Sequence, residues 1–413
     1  MGRKDEADLD ELVRVARGKG FLTLADLQGL KFNLPQIGEL KKRLEGYGLR
    51  IYDEAAGGVG SLSQDEAEQI VVALRKGVPP AEIDVTTYSV GRLDLVDRFR
   101  DDLRVVGDGP SLVRFMNADW GSGKTHSLYL LRDNAFRMGF VVSIVSLSRA
   151  VCPLYDFMAV YNSVMWNLRT SERHEQPALE NVLDRWLQAV REIGEDRARA
   201  IISTLPNNLI CALQAYYESI GPIRRNEEKR MLVLNYLSGS FVPVRDLWRI
   251  GIGTRIHKDN ALDMLASMCT LFKNLKYSGI CILFDEAESI HSFALSAHRD
   301  AAFNNISHLI KRSGKAHSCY FLYATTPAFF DYSGSYQIDT HVKGRNVIEL
   351  ERLSTSDKKR LASRICQIYG IALGRDVPKK AARVVETAAG LPDLTESVGD
   401  FVRKCITVLD EIA

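Results

Sequence analysis

Eight residues, Ala118-Asp119-Trp120-Gly121-Ser122-Gly123-Lys124-Thr125, combine two glycines, a lysine and a hydroxyl in an order suited to phosphate chemistry. They meet the pattern Gly-x-x-x-x-Gly-Lys-[Ser/Thr] at every defined position but the first, where Ala118 stands. Gly121 and Gly123 let the backbone curl around Ser122 with its N–H groups inward, so a triphosphate meets donors rather than side chains. Lys124 would reach the β- and γ-phosphates, and the Thr125 hydroxyl would ligate Mg2+. A helix starting at this point adds the positive end of its dipole. Alanine in the first position is tolerable where its φ is negative. The plain alternative is a Gly-Ser turn ahead of an amphipathic helix.

A second chemical feature is the apolar run Ile280-Cys281-Ile282-Leu283-Phe284, which ends in Asp285-Glu286. A buried strand that delivers Asp285 at its carboxyl end is what Mg2+ needs opposite a phosphate loop. Glu286 beside it can polarise the attacking water. Alone, such a strand–acid junction is common; downstream of a phosphate loop it gains weight. Glu288 and His291 nearby read as helix-face residues.

These groups need rigid elements behind them. Leu112 to Asn117 carries the apolar residues of a buried strand leading into the loop, and Leu128, Leu131, Ala135 and Met138 recur at helical spacing after it. Phe140 to Leu147 and Tyr320 to Thr326 read as further buried strands, and Val347 to Leu350 as a last one. From about Tyr155 to Lys276 the pattern is almost wholly helical, with breaks at Pro206, Gly221-Pro222 and Gly239. That is too long for one crossover, so part of it is an insertion, about 155–276. Its cluster Arg224, Arg225, Lys229 and Arg230 is interleaved with Glu227 and Glu228, as on a solvated helix. Ser63 and Glu66 predict a capping box for a helix through Leu74, and the chain from Thr355 onward is helical.

The 413 residues suit two or three folded units, with 46% hydrophobic and 26% charged residues as in ordinary globular protein. A net charge of +2 announces no nucleic-acid binder, although a local patch would vanish in that total. Seven scattered cysteines without a Cys-x-x-Cys pair favour free thiols over a disulfide framework or zinc site. The charged N-terminus has no signal-peptide character and no apolar run reaches membrane-span length, so the expected location is cytoplasmic, away from membranes.

Residues 1–54 predict three short helices and a strand around Leu49–Tyr52, a small winged-helix-like module. The phrases "KGFLTLADL" and "QIGELKKRLEGYGLRIYDE" make Glu11–Glu54 resemble region 1.1 of housekeeping sigma factors, which implies a module that binds DNA, mimics it or docks on a protein. Lys41, Lys42 and Arg43 could sit on phosphates, or form a solvated helix face. Ala55 to Ser61 reads as a flexible linker.

From about Glu68 to the C-terminus the chain resembles the ATP-binding proteins of BREX-type phage-defence systems (BrxD-like) in "IVVALRKGVPP", "VGRLDLVDRF", "WGSGKTH", "ILFDEAE" and "YATTP". It is more distantly similar to origin-recognition-type AAA+ ATPases. The resemblance implies an α/β P-loop NTPase of the additional-strand AAA+ type, with a parallel sheet, a helical insertion and a C-terminal helical lid. The expected organisation is 1–54 N-terminal module, 55–80 linker and helix, 81–352 core with its insertion, and 353–413 lid. By the same resemblance Val90 and Gly91 lie against the adenine, and Thr325, with Thr326 as the alternative, is sensor 1. Arg345 would reach a neighbouring subunit's ATP, with Lys343 and plain solvent exposure as competing readings. Where a sensor 2 arginine is often found, Gly390-Leu391-Pro392-Asp393 puts an acid.

The implied function is ATP binding and hydrolysis with Mg2+ in a bacterial defence system, coupled to assembly or remodelling on DNA. Its partners would be further copies of the chain, DNA, and a helicase or other defence proteins. The alternatives are an ATP-dependent scaffold or switch with negligible turnover, and a transcription regulator acting through the N-terminal module.

Overall fold

The computed structural model describes residues 22–23, 51–52, 62–80, 83–171, 177–220, 226–313, 317–333, 344–377, 383–385, 387 and 397–412. The expected helices of the 1–54 module, the 55–61 linker, Lys343 and Gly390–Asp393 lie outside them. Of the module, β1 (Leu22–Thr23) pairs in parallel with β2 (Ile51–Tyr52), Leu22 opposite Ile51.

The chain continues through α1 (Gln64–Arg75), α2 (Leu93–Gly107), β3 (Leu112–Asn117), α3 (Lys124–Arg137) and β4 (Phe140–Ser146). Then come α4 (Phe157–Trp166), β5 (Leu168–Arg169) and the helices α5 (Leu179–Ile193), α6 (Glu195–Ile202), α7 (Asn207–Ser219), α8 (Glu227–Leu237), α9 (Val244–Trp248) and α10 (Ala261–Asn274). Next are β6 (Gly279–Asp285), α11 (Ser296–Ser313), β7 (Cys319–Thr325), α12 (Pro327–Ser333) and β8 (Val347–Glu349). Finally α13 spans Thr355–Leu373 and α14 Val398–Ile412.

Two compact units result, one drawn from Met1–Phe99, Gly121–Met138 and Arg352–Ala413, the other from Arg100–Trp120 and Gly139–Glu351. The core expected over 81–352 is thus divided. Its helix α3 groups with α1, α13 and α14, while the sheet and the insertion form the second unit.

In the second unit the strands lie in the order β5-β4-β6-β7-β3-β8. All pair in parallel except β5, which is antiparallel to β4. Strand β7 lies between β3 and β6, the additional-strand arrangement expected from the sequence. All seven residues of β6 and all seven of β7 are buried, which explains why each reads as an unbroken apolar run rather than an alternating one. Phe284 stacks on Tyr323 at 4.7 Å between centroids, and Tyr323 on Phe115 at 5.3 Å.

Strand β5 corrects the expectation of an almost wholly helical stretch after Tyr155. A strand of two residues, Leu168 and Arg169, has no period to read, and only its pairing to Ser143 and Val142 makes it one. The breaks at Pro206 and Gly239 do bound helices: Pro206 precedes α7 and Gly239, at φ +76°, follows α8.

The first unit has a different construction. Helix α1 is closed by the expected box, in which the Ser63 side chain accepts from the Glu66 N–H and the Glu66 carboxylate accepts from the Ser63 N–H. The helix packs on both α13 and α14, so the segment read as a connection belongs to the C-terminal helical layer. Ala67, Ile70 and Leu74 meet Leu361, Ile365, Phe401 and Ile406 in one apolar cluster, and Leu130 of α3 joins them. Arg75 adds a bidentate ion pair to Asp410, and the Tyr369 hydroxyl donates to the same carboxylate.

Candidate functional site

The residues singled out by chemistry fall into two groups. Val90, Gly91 and Gly121–Thr125 lie in the first unit, whereas Asp285, Glu286, Thr325 and Arg345 lie in the second.

In the first group, Gly121 and Gly123 both take left-handed backbone, at φ +77° and +95°, and helix α3 starts at Lys124. Only glycine adopts these angles without strain. Three successive carbonyls of the loop are engaged, two by distant segments and one by the first turn of α3. Gly121 O accepts from the Val398 N–H at 2.9 Å, Ser122 O from Arg92 Nη2 at 2.8 Å, and Gly123 O from the Ser127 N–H at 3.0 Å. The peptides are trans, so each C=O points opposite to the N–H of the next residue. The N–H groups of Ser122, Gly123 and Lys124 therefore each point away from a carbonyl oxygen that is already engaged. That is the donor set an anionic phosphate needs at a helix N-terminus.

Supports for this loop come from three distant stretches. Arg92 follows directly on Val90 and Gly91, which brings the segment read as an adenine contact onto the loop. Gly91, at φ +70°, lies so near α13 that a Cβ there would sit 2.6 Å from the Asp357 carboxyl carbon. A Cβ on Gly121 would come within 2.3 Å of Ser397 Cβ, so Gly121 permits both the turn and the close approach of α14. The Ser397 hydroxyl caps that helix by accepting from the Asp400 N–H at 3.0 Å.

His126, directly after Thr125, is half-buried with Nε2 2.7 Å from Ser89 Oγ and its ring tilted over Tyr88. The single Ser89 hydroxyl proton goes to Val85 O at 2.9 Å, which leaves His126 Nε2–H as the donor to Ser89. Burial, and after it the Arg92 charge, pull the His126 pKa down to about 4, so the ring is neutral at neutral pH. Behind it, Asp133 accepts from the Val85 N–H and from Arg132 Nε, and burial followed by the nearby Asp84 raises its pKa to about 7. The resemblance gives roles to Val90 and Gly91 and none to Arg92. The adjacent Arg92 was the available signal for the missed contact, while nothing local pointed to Ser89, Ser397 or Val398.

In the second group the strand register lines up polar residues along the carboxyl edge of the sheet. Ser146 of β4 is level with Asp285 of β6, and Asn117 of β3 is level with both Thr325 of β7 and Glu349 of β8. This is the edge at which parallel α/β sheets receive ligands. Ala118, the first residue of the loop pattern, leaves from the same edge with its N–H on Thr325 O at 3.1 Å, and it has no positive φ. Asp285 is buried and receives the Glu286 N–H on Oδ1 at 2.9 Å. Glu286 is exposed, and its carboxylate accepts from Ser146 Oγ at 3.3 Å. Its backbone is left-handed at φ +58°, an uncommon conformation for a non-glycine residue and one found disproportionately at functional sites.

Thr325 is fully buried and its hydroxyl has no hydrogen-bond partner. A buried hydroxyl in that state costs free energy unless something outside the chain satisfies it. Arg345 is exposed on the short turn Gly344–Asn346 before β8. Glu288 and His291 lie in the 3-10 turn Ala287–Ser292. Among the described residues no His, Cys, Asp and Glu cluster of three could hold a metal, so a metal would need phosphate or water oxygens beside Thr125 or Asp285.

Residues 62–413 match the model of the family described as BREX system ATP-binding protein BrxC/D. The chain belongs to this family. The match begins at α1, which agrees with the packing of α1 into the C-terminal helical layer of this BrxC/D chain. No curated protein matches the sequence. Among solved structures, the chain is similar to the Aeropyrum pernix ORC2 protein in its ADPNP–ADP complexes, at 13% identity and a TM-score of 0.41. That similarity covers 77% of this chain and 61% of ORC2, so the chain spans less than two thirds of the ORC2 length. No described helix is long and apolar enough to cross a membrane.

Proposed function

We propose that this BrxC/D chain binds and hydrolyses ATP with Mg2+, and couples its nucleotide state to assembly or remodelling on DNA with other defence proteins in the cytoplasm. The observation that carries the nucleotide part is the loop whose three successive carbonyls are turned away by Val398, Arg92 and Ser127. The curl at Gly121 lets Ser122, Gly123 and Lys124 offer backbone donors there, and the Lys124 side chain neutralises the β- and γ-phosphates. Val90 and Gly91 border the base. Thr125 and Asp285 would hold the metal, which supplies charge neutralisation at the transferring phosphoryl group.

Glu286 is the base that orients and deprotonates the attacking water, with Thr325 offering its unpartnered hydroxyl to that water or to the γ-phosphate. The exposure of Glu286 and its left-handed backbone suit a carboxylate that must present itself to a ligand rather than pack. Arg345 acts in trans on the ATP of a second copy, so activity depends on a homo-oligomer.

The test is a pair of variants followed by fluorescent-ATP binding and phosphate release across protein concentration. Lys124→Ala is expected to abolish binding. Glu286→Gln should keep binding and stop turnover, and specific activity should rise with concentration unless Arg345 is replaced. An unchanged rate in Glu286→Gln removes that residue from its role. Binding without turnover in the wild type leaves a nucleotide-dependent switch. Mass photometry with ATP or ADP, with and without DNA, tests the assembly.

A further inference from the structure

We propose that residues 241–258 of the helical insertion form a platform that stacks and holds single-stranded DNA. Among the described residues four Trp or Phe side chains are prominently exposed, and two of them are Phe241 at 76%, just before α9, and Trp248 at 66%, the last residue of α9. Aromatics left in water at this level within a well-anchored segment call for a partner. The anchoring is firm, because Val242, Leu247 and Ile252 are buried in the main core. The backbone is therefore held while the rings point outward.

Cations surround the rings. Residues 241–258 hold four of them, Arg245, Arg249, Arg255 and Lys258, against one carboxylate, Asp246. Arg245, Trp248 and Arg249 share the outer face of α9 by their spacing, and all three are exposed. The Arg255 guanidinium lies over the Phe241 ring at 5.2 Å, which joins the two ends of the segment. By contrast, the basic residues of α8 are occupied by acids: Lys229 pairs with Glu218, and Arg230 with Glu180 and Glu227. Two platform cations also have acids in reach, Arg245 with Asp246 at 3.7 Å and Arg249 with Glu228 at 3.2 Å, but both guanidiniums stay well exposed, so phosphate displaces the acids at little cost.

Rigid aromatic faces interleaved with arginines suit an unpaired strand. Bases stack on the rings whatever their identity, and the cations track the phosphates. A duplex hides its base faces and offers only the second of these interactions. The choice of DNA rests on the DNA-coupled function proposed above.

The experiment uses the full chain and fluorescence anisotropy with a fluorescein-labelled mixed-sequence oligodeoxynucleotide of about 20 nucleotides, longer than one stacking site of ~4–16. Matching RNA and duplex DNA are run beside it at about 50 and 200 mM salt. Wild type is expected to bind the single-stranded DNA best. Phe241→Ala with Trp248→Ala should weaken it by roughly 30-fold or more, with thermal unfolding superimposable on wild type because both rings are exposed. Replacing Arg245, Arg249 and Arg255 by alanine should flatten the slope of log K against log salt by about 2.

Three outcomes overturn the proposal: no binding at low salt, an unaffected aromatic double variant, or a preference for RNA or duplex. The surface variants are expected to keep wild-type ATP affinity, and Lys124→Ala to keep DNA affinity without nucleotide. Failure here therefore removes this surface alone, whereas failure of Lys124→Ala to lose ATP removes the nucleotide reading.

Discussion

The two units solve the same problem of cohesion differently. The sheet unit is contiguous but for one excursion, and its centre is apolar: every residue of β6 and β7 is buried, and Phe115, Tyr323 and Phe284 stack through it. The other unit gathers three separated stretches, and polar ties and close backbone approaches reinforce its apolar cluster. Examples are Arg75 on Asp410, Arg137 on Asp84, Gly121 against Ser397 and Gly91 against Asp357. The difference teaches where each unit is brittle. The first kind fails when volume is removed, the second when a small residue grows or a charge changes.

Phe284→Ala is the harshest test. It should cost about 3–5 kcal/mol in urea unfolding, since a fully buried ring leaves a cavity that the stacked neighbours cannot close. A loss as small as that of a surface ion pair would erase the contrast. Gly121→Ala comes next, at roughly 1–3 kcal/mol from left-handed strain and the Ser397 clash, with nucleotide affinity falling alongside. Calorimetry that finds stability and affinity unchanged would mean that the close approach carries no constraint.

Asp133 sharpens the polar side of the comparison. Its folded pKa, about 7, lies above the ordinary carboxyl value, so the folded state holds a proton that the unfolded chain has released. Its contribution is therefore present below about pH 4 and is lost as pH rises through about 7. Asp133→Asn should flatten the decline of stability over that window, as followed by urea midpoints at several pH values.

Thr325→Val removes an unpartnered buried hydroxyl at constant shape, so stability should hold or rise by up to ~1 kcal/mol. Phosphate release should nonetheless fall roughly tenfold or more if that hydroxyl faces the reaction. A rate that follows stability instead would make Thr325 purely structural. The mildest change is Arg75→Ala, expected within ~1 kcal/mol because its pair with Asp410 is half exposed and screened.

Much of the sheet was legible. Phe140–Ser146 and Cys281–Phe284 are largely apolar runs, and runs of that length without alternation are what doubly covered parallel strands require, whereas in Leu112–Asn117 only Phe115 and Met116 are buried. The glycine spacing before Lys124 predicted a curl, and the left-handed angles at 121 and 123 are that curl. The two residues of β5 could not be read, because they are a strand only through their partner. The left-handed turn at Glu286 was equally hidden, since glutamate carries no preference for it.

What the sequence by itself determined is therefore local and periodic: the loop pattern, the capping box at Ser63, and the unbroken strands whose residue types suit only a covered sheet. What only the tertiary structure decided is the company these residues keep. Arg92 lies 30 positions before the carbonyl it holds, and Val398 reaches Gly121 from the far end of the chain. The orphaned Thr325 hydroxyl is likewise a property of its surroundings. Spacing encodes backbone preference because that preference acts within a few residues, whereas hydrogen-bond partners and burial depend on which distant segments the packed fold brings within ångströms.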